Sequence, residues 1–338
     1  MPGTAMEICK LNIKILSGQD CHCQIFSWRS ELASIAAAGG NFVRVWVHVE
    51  GDVSPLYNDD GYVVGTDPAN SLFSDLRSFL DECAKNNILA GLVLFNGAVL
   101  RNKKTINLFW DDSKLTSYLD TVLVPMVREL KAQPALGFWE VMNEPEGSSP
   151  AGQTDAEPCF DLTHLDWSRE GEGRARGPGW SGADISIWRI LRLHNWVADA
   201  IHREDGKALV SAGSWSSLAS TWVAGDDPVH KAGFNHYSDE CLVKAGQRDL
   251  GVVDFVQFHT YPWAGSWGSE GPLVNTPGDY GVDKPILVGE FPAAAYESDG
   301  LPNGATTGDV VDYLYTRDFA GGLRSVQLLS LHLTFPPL

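Results

Sequence analysis

Short apolar segments alternate with longer amphipathic segments along most of the chain. The apolar segments carry few polar residues, which is typical of strands buried on both faces of a parallel sheet. The candidate strands are residues 41–49, 88–95, 136–142, 208–212, 252–259 and 285–290. Apolar residues recur at helical spacing in the candidate helices, which are residues 27–38, 71–85, 113–131, 185–202 and 308–319. This alternation predicts a parallel α/β domain.

Two weaker apolar segments, residues 8–16 and 323–331, would bring the number of strands to eight. Eight parallel strands with their helices close into a barrel, and a doubly wound open sheet is the alternative. No linker, low-complexity segment or block of like charge divides the chain, so we expect residues 1–338 to form a single domain. Residues 146–182, rich in Gly, Pro and Arg, are predicted to form a long loop on one rim.

The composition is that of an ordinary globular protein, with 44% hydrophobic and 20% charged residues. The net charge of −18 repels phosphate backbones, which argues against a nucleic-acid partner. The chain also lacks the basic clusters that hold peripheral proteins to anionic membranes, and no apolar segment reaches the ~18 residues of a membrane span. We therefore expect neither nucleic acid nor a membrane as a partner.

The six cysteines give no sign of a metal centre. Cys21 and Cys23 are too close for a usual zinc knuckle, and no second pair follows at ligand spacing. An even number of cysteines permits disulfides, and their pairing is left open.

Two glutamates stand where predicted strands end. Asn143 and Glu144 directly follow the strand 136–142, and Glu290 ends the strand 285–290. The carboxyl ends of parallel strands form the rim where α/β folds bind ligands, and in an eight-stranded barrel these two carboxylates would face each other across the mouth. Paired carboxylates suit glycoside hydrolysis, in which a retaining enzyme holds a neutral acid and an ionised nucleophile about 5–5.5 Å apart. A helix-capping turn is the alternative for Glu144.

Three motifs together resemble glycoside hydrolase family 5 of clan A, and within it the invertebrate, mollusc-type endo-β-1,4-mannanases. They are the glycine-led strand at residues 39–51, Asn-Glu-Pro at 143–145 and Gly-Glu-Phe at 289–291. The resemblance covers about residues 28–300. It implies a (β/α)8 TIM barrel and a retaining endo-β-1,4-mannanase that needs no metal or organic cofactor, because carboxylates supply both the proton transfer and the nucleophile.

The resemblance assigns roles to four residues of these three motifs. Glu144 resembles the family's acid/base and Glu290 its nucleophile. Asn143 resembles the Asn that hydrogen-bonds the sugar 2-hydroxyl in the −1 subsite. Arg44 resembles the Arg that pairs with the nucleophile and keeps it ionised, a generic interior ion pair being the alternative.

The end of the strand 252–259 and the following loop add further candidates. His259 and Tyr261 resemble the family's His in the −1 subsite and the Tyr that orients the nucleophile; a structural role is the alternative for His259. Trp263 and Trp267 follow in the same loop and suit stacking on sugar rings, with loop packing as an equal alternative. Trp110 is a weaker candidate for sugar binding.

Several other aromatic and titratable residues are candidates either for the cleft or for a structural role. Trp180 is a weak binding candidate, and Trp46 and Trp139 are expected in the core. His48 and Glu50 continue the line of the 41–49 strand, and a position in the cleft and one outside it are equal alternatives for them. A structural role is predicted for three histidines: His194, His202 and His236.

Two alternative functions remain open at this point. A β-1,4-glucanase of the same clan would carry the same catalytic residues, because the subsites decide between mannan and glucan. A non-catalytic glycan-binding relative is the other alternative, although both glutamates are in place. The resemblance implies a monomer that binds β-mannan or a related polysaccharide outside the cell.

Both ends of the sequence depart from the family pattern. The first strand lacks a Gly-x-Asn rim segment, and no Trp follows residues 320–322 to floor the −1 subsite. We therefore expect atypical or incomplete first and last strands. The N-terminus also lacks a positively charged segment followed by a long apolar one, so no signal peptide is predicted in the sequence as it stands.

Overall fold

A computed structural model describes residues 28–165, 178–224, 232–260 and 275–290. The strands, in chain order, are β1 (Phe42–Val49), β2 (Leu56–Tyr57), β3 (Val63–Gly65), β4 (Leu89–Asn96), β5 (Leu136–Asn143), β6 (Val210–Ser214), β7 (Val256–His259) and β8 (Ile286–Glu290). Six of them form one parallel sheet in the order β1-β4-β5-β6-β7-β8. All six sheet strands were predicted from the sequence. The antiparallel pair β2–β3 was not.

The helices are α1 (Trp28–Ala37), α2 (Leu72–Lys85), α3 (Lys103–Trp110), α4 (Asp112–Tyr118), α5 (Val124–Leu130), α6 (Ile187–Glu204), α7 (Ser217–Ser220) and α8 (Asp239–Gly246). The helix predicted over 113–131 consists of α4 and α5 joined by a π-helical turn. The helices α1, α2 and α6 were also predicted correctly, whereas the shorter α3, α7 and α8 were missed. The helix predicted at 308–319 and the weak strands at 8–16 and 323–331 lie outside the described residues.

The sheet is strongly curled. Neighbouring strands lie about 4.8 Å apart, so a flat sheet would separate the edge strands β1 and β8 by about 24 Å. Nη1 of Arg44 on β1 nevertheless lies 2.5 Å from Oε1 of Glu290 on β8. The six strands therefore wrap most of the way around a common interior, as strands two to seven of an eight-stranded barrel do. The expected TIM barrel is confirmed over these strands.

The barrel interior is filled in layers by alternate residues of its strands. Its lower layer, toward the amino ends of the strands, is an apolar cluster of Phe42, Phe138, Phe255 and Leu287. The rings of Phe42 and Phe138 are stacked with centroids 5.3 Å apart. Two residues further along, three of these strands carry polar side chains, which are Arg44, Glu140 and Gln257. An apolar floor thus separates the rim from solvent at the bottom of the barrel.

The main core lies between the sheet and the surrounding helices. Helix α2 shows the principle, because its apolar residues form one stripe, and all five are buried: Leu72, Leu76, Phe79, Leu80 and Cys83. Burying a side chain of this size contributes about 1.5–3 kcal/mol, so the stripe fixes α2 on the sheet. Trp139 belongs to the same core, as predicted.

A disulfide links Cys159 to Cys241, which lies on α8. It fastens the loop after β5 to the outer layer of the barrel. Cys83 is a buried free thiol. Among the described residues, no helix is both long and apolar enough to cross a membrane.

Candidate active site

Glu144, His259 and Glu290 meet at the carboxyl edge of the sheet. They stand at the ends of β5, β7 and β8, and one oxygen or nitrogen atom from each lies within 4.8 Å of the other two. The two carboxylates are therefore as close as a retaining glycosidase requires, and closer than the ~6.5–9.5 Å of an inverting one.

The backbone holds Glu144 in an unusual conformation. Its φ of 43° lies in the left-handed region, which non-glycine residues rarely adopt. The Glu144 amide donates to the Gly213 carbonyl on β6 (2.6 Å), and the Gly147 amide donates to the Glu144 carbonyl (3.1 Å). Pro145 begins a 3-10 turn immediately afterwards. Strain of this kind persists only where neighbouring structure enforces it, and it clusters at functional sites.

The two carboxylates differ in exposure. The side chain of Glu144 is 16% exposed, whereas that of Glu290 is 4% exposed. A group that must exchange protons with water benefits from contact with solvent, and a nucleophile benefits from its exclusion. The exposures therefore suit an acid/base at Glu144 and a nucleophile at Glu290.

His259 lies between the two glutamates. Its Nδ1 lies 3.0 Å from Oε1 of Glu144 and 3.4 Å from Oε2 of Glu290. Burial lowers the pKa of His259, but the Glu290 charge and the hydrogen bond to Glu144 outweigh it, so the pKa is raised above its ordinary value. The two carboxylates thus favour the protonated form of the imidazole.

Arg44 ties Glu290 to the interior of the barrel. Its buried guanidinium donates to Glu290 and, through Nη2, to Oδ1 of Asn143 at 2.7 Å. Burial lowers the pKa of Arg44, but the negative charges of Glu140 and Glu290 outweigh burial. The pKa is therefore raised above its ordinary value, and the guanidinium stays charged. A hydrogen-bonded cation at this distance favours the ionised form of Glu290.

Asn143 is oriented by a chain of side-chain amides. Its Nδ2 donates to Oδ1 of Asn96 (2.9 Å), and Nδ2 of Asn96 donates to Oε1 of Glu50 (3.0 Å). An amide nitrogen carries two hydrogens, so one of those on Asn143 remains for a ligand at the rim. Glu50 thus acts on the cleft indirectly.

Two buried glutamates near the site were missed by the sequence analysis. Glu140 pairs with Arg44 through both carboxylate oxygens. Glu146 accepts hydrogen bonds from the Ser214 hydroxyl (2.9 Å), the Trp215 amide (3.0 Å) and the Tyr237 hydroxyl (2.7 Å). The available signal was a charged residue at an inward position of an otherwise apolar strand for Glu140, and a second acid two residues after Glu144 for Glu146.

The aromatic candidates have different outcomes. Tyr261, Trp263 and Trp267 lie outside the described residues. Trp110 ends α3 and is half exposed, but the Arg189 guanidinium lies 4.0 Å from its ring centroid and covers one face. No contact joins Trp110 to the rim cluster among the described residues, so its role stays a prediction.

The remaining candidates pack in the interior or close to it. Trp46 is buried with Val49 and Val93. His48 is fully buried and its Nδ1 lies 2.8 Å from the Ser54 hydroxyl, away from the two rim glutamates. Trp180 is partly exposed and packs edge-on against Trp215. The three histidines predicted to be structural bond to backbone carbonyls: His194, His202 and His236.

Known proteins resemble this chain along most of its length. No family model matches it. The mannan endo-1,4-β-mannosidase of Cryptopygus antarcticus is 41% identical over 290 residues, which covers 86% of this chain and 70% of the relative. That of Mytilus edulis is 39% identical over 297 residues, covering 87% and 75%. The chain belongs to the invertebrate mannan endo-1,4-β-mannosidases of glycoside hydrolase family 5.

Solved structures of relatives have the same fold. The β-1,4-D-mannanase of Cryptopygus antarcticus superimposes with a TM-score of 0.76 at 39% identity, over 88% of this chain and 75% of that one. The β-mannanase of the blue mussel Mytilus edulis gives a TM-score of 0.75 at 37% identity, over 88% and 77%. The family resemblance read from the motifs is therefore confirmed.

Proposed function

We propose that this chain is a retaining endo-β-1,4-mannanase that hydrolyses internal β-1,4-mannosidic bonds. The observation that carries the proposal is the pairing of Glu144 with Glu290 within 4.8 Å on the rim of the barrel, with Arg44 bound to Glu290. The mannan specificity is supported by the names of the relatives, since the catalytic groups alone do not distinguish mannan from glucan.

In the first step Glu290 attacks the anomeric carbon of the sugar in the −1 subsite. The glycosidic C–O bond breaks, and the Glu144 carboxylic acid donates its proton to the leaving oxygen. The product is a mannosyl ester of Glu290, and Glu144 is left ionised. His259 lies between the two carboxylates and lowers the cost of the negative charge that moves onto Glu144.

In the second step the Glu144 carboxylate takes a proton from water, and the resulting hydroxide oxygen attacks the anomeric carbon. The ester bond breaks, Glu290 regains its charge and the configuration is retained. The greater exposure of Glu144 suits this exchange with water. In this scheme Asn143 donates to the 2-hydroxyl and Tyr261 orients Glu290, as the family resemblance implies. Trp263, Trp267 and Trp110 are assigned to sugar binding by their positions in the sequence.

The proposal also covers the oligomeric state, the extent of the domain and the location of the enzyme. The enzyme works as a monomer, as the family resemblance implies. Residues 1–338 form one catalytic domain around the barrel. It acts outside the cell, which the Cys159–Cys241 disulfide supports, because disulfides persist in oxidising compartments.

The deciding experiment measures the release of reducing ends from linear β-mannan, with cellulose in parallel and Glu290→Ala as the matched control. We expect wild type to turn over mannan and Glu290→Ala to show no turnover. The variant should keep most of the sugar affinity of wild type. Turnover of cellulose in place of mannan would favour a glucanase. Folded protein that binds mannan without turnover would favour a glycan-binding relative.

A further inference from the structure

Glu140 holds a buried negative charge directly beneath the catalytic rim. It lies on β5, one inward position before Met142, and its exposed fraction is 0%. Its Oε2 accepts from Nε of Arg44 (2.6 Å) and from Nε2 of Gln257 (2.7 Å), and its Oε1 accepts from Nη2 of Arg44. The contact to Arg44 is bidentate, the strongest and most directional form of this ion pair.

This contact decides which nitrogen of Arg44 donates to Glu290. The Nε and Nη2 edge of the guanidinium is occupied by Glu140, so Nη1 alone donates to Glu290. Without Glu140, the guanidinium would be free to rotate so that its Nε and Nη2 both donate to Glu290. Two donors and an unshared positive charge would then stabilise the carboxylate and weaken it as a nucleophile.

The reaction changes the charge of Glu290 but not that of Glu140. When Glu290 becomes an ester it carries no charge, and Arg44 would be left as an unpaired buried cation, which is costly in a barrel interior. Glu140 does not react, so its bidentate contact with Arg44 persists through the cycle. The pair therefore keeps the interior charge balanced when the covalent intermediate forms.

We infer that Glu140 is a positioning residue that acts through Arg44, by fixing the guanidinium and compensating its charge while Glu290 is esterified. The inference rests on the proposed function, since it requires the covalent step at Glu290. The space for Glu140 is built into the neighbouring strand, because a Cβ at Gly213 would lie 2.0 Å from its Oε1. Alanine at position 213 would therefore displace the carboxylate.

The test measures ester formation directly, using a 2-deoxy-2-fluoro-β-mannobiosyl fluoride. Attack by Glu290 expels fluoride, and the fluorinated ester is stable enough to be followed by mass spectrometry. Wild type must first become labelled at Glu290, and a failure here would count against the proposed function. We expect Glu140→Gln to be labelled about 100-fold more slowly or worse, because an electrostatic contribution to the step is lost. Labelling as fast as in wild type would overturn the inference.

The pH profile of kcat/KM separates this role from a packing role. The charged groups facing Glu290 among the described residues are Arg44, Glu144 and His259, with Glu140 behind Arg44. Without the Glu140 charge, Arg44 interacts more strongly with Glu290 and favours its ionised form. We therefore expect the acid limb to move by about one unit to lower pH. Glu140→Asp keeps the charge and should keep the limb near its original position. A limb that does not move in Glu140→Gln would contradict the inference.

Two further variants control for folding and for buried charge in general. Asp199 on α6 is a buried carboxylate that accepts from Nε of Arg203 (2.8 Å), away from the rim. We expect Asp199→Asn to lose stability but to keep the labelling rate and the acid limb. If Glu140→Gln does not fold, Arg44→Met is compared with Arg44→Met/Glu140→Gln. The double variant should label no more slowly than the single one, and a further tenfold loss would overturn the inference.

Discussion

At the scale of single residues, the site separates two glutamates by their surroundings. Glu290 is buried against a cation, and Glu144 is more exposed and bonded to His259. Identical side chains therefore meet different electrostatic environments, which is the condition for one to act as an acid and the other as a nucleophile. The backbone of Glu144, held in the left-handed region, sets the direction of its side chain.

Replacement of Glu144 by Ala tests the acid/base role. We expect turnover of mannan to fall by about 10²–10⁴-fold, because the leaving oxygen no longer receives a proton. With an aryl mannoside, whose leaving group needs no acid, added azide should restore part of the rate, since it attacks the ester without a general base. The product should be a β-mannosyl azide, identified by NMR.

The matched control for azide rescue is Glu290→Ala, which cannot form the ester. It should give no β-configured azide under the same conditions. Equal rescue of both variants would contradict the assignment of the two roles.

Glu146 predicts a pH dependence of stability. Burial raises its pKa above the ordinary value of 4.5, despite the hydrogen bonds from the Trp215 amide, Tyr237 and Ser214 that oppose the rise. The folded state then binds the proton more tightly than the unfolded chain, so stability is lost as the pH rises above about 4.5. Glu146→Gln removes this titration. Urea unfolding of both proteins should show the variant gaining on wild type between pH 4.5 and neutrality.

A constant difference between the two proteins across that pH range would show that Glu146 does not titrate in the way described. The hydrogen bonds altered by the amide contribute a pH-independent offset, so only the change with pH is decisive.

At the scale of elements, the rim depends on connections outside the sheet. The 3-10 turn after Glu144 is anchored to β6 and Tyr237 by Glu146, and the loop further along is fastened to α8 by the disulfide. Neither connection touches the two catalytic oxygens. Both restrict the loop that carries Glu144, so they preserve the geometry of the site.

Loss of the disulfide should reduce stability more than catalysis. The bond closes a sequence separation of 82 residues, and a loop of that length corresponds to about 2–5 kcal/mol. We expect Cys159→Ser/Cys241→Ser to unfold at a lower urea concentration, with kcat at 20 °C changed by less than about threefold. Wild type in dithiothreitol should approach the variant, and dithiothreitol should leave the variant itself unchanged.

At the scale of the whole molecule, the curl of the sheet brings the ends of the described chain together. Arg44 comes from the first strand of the sheet and Glu290 from the last. The apolar floor closes the interior below them, so the ion pairs lie in a region from which water is largely excluded. Electrostatic interactions are stronger there than at the surface.

The net charge of −18 predicts how salt affects catalysis. Unsubstituted mannan is neutral, and the ion pairs of the site are buried, so screening should leave both binding and chemistry nearly unchanged. We expect kcat/KM on linear mannan to vary by less than about twofold between low salt and ~1 M NaCl, where the Debye length is ~3 Å. A steep decrease would show that surface charge takes part in binding.

The sequence determined the order of strands and helices, the barrel class and the two rim glutamates. Period-specific apolar patterns are local, and strand ends mark the rim in any parallel α/β fold. It also associated Arg44 with Glu290, through the family motifs. Local patterns did not reveal α3, α7, α8 or the β2–β3 pair, because these segments are short and tertiary packing supports them.

Only the tertiary structure decided which buried acids matter and what they contact. Glu140, Glu144 and Glu146 lie within seven residues of one another, and the Asn-Glu-Pro motif assigns a role only to Glu144. Glu140 meets Arg44 across the barrel, and Glu146 meets Tyr237 from a distant part of the chain. Tertiary packing creates both contacts, and a contact between residues far apart in sequence leaves no periodic trace along the chain.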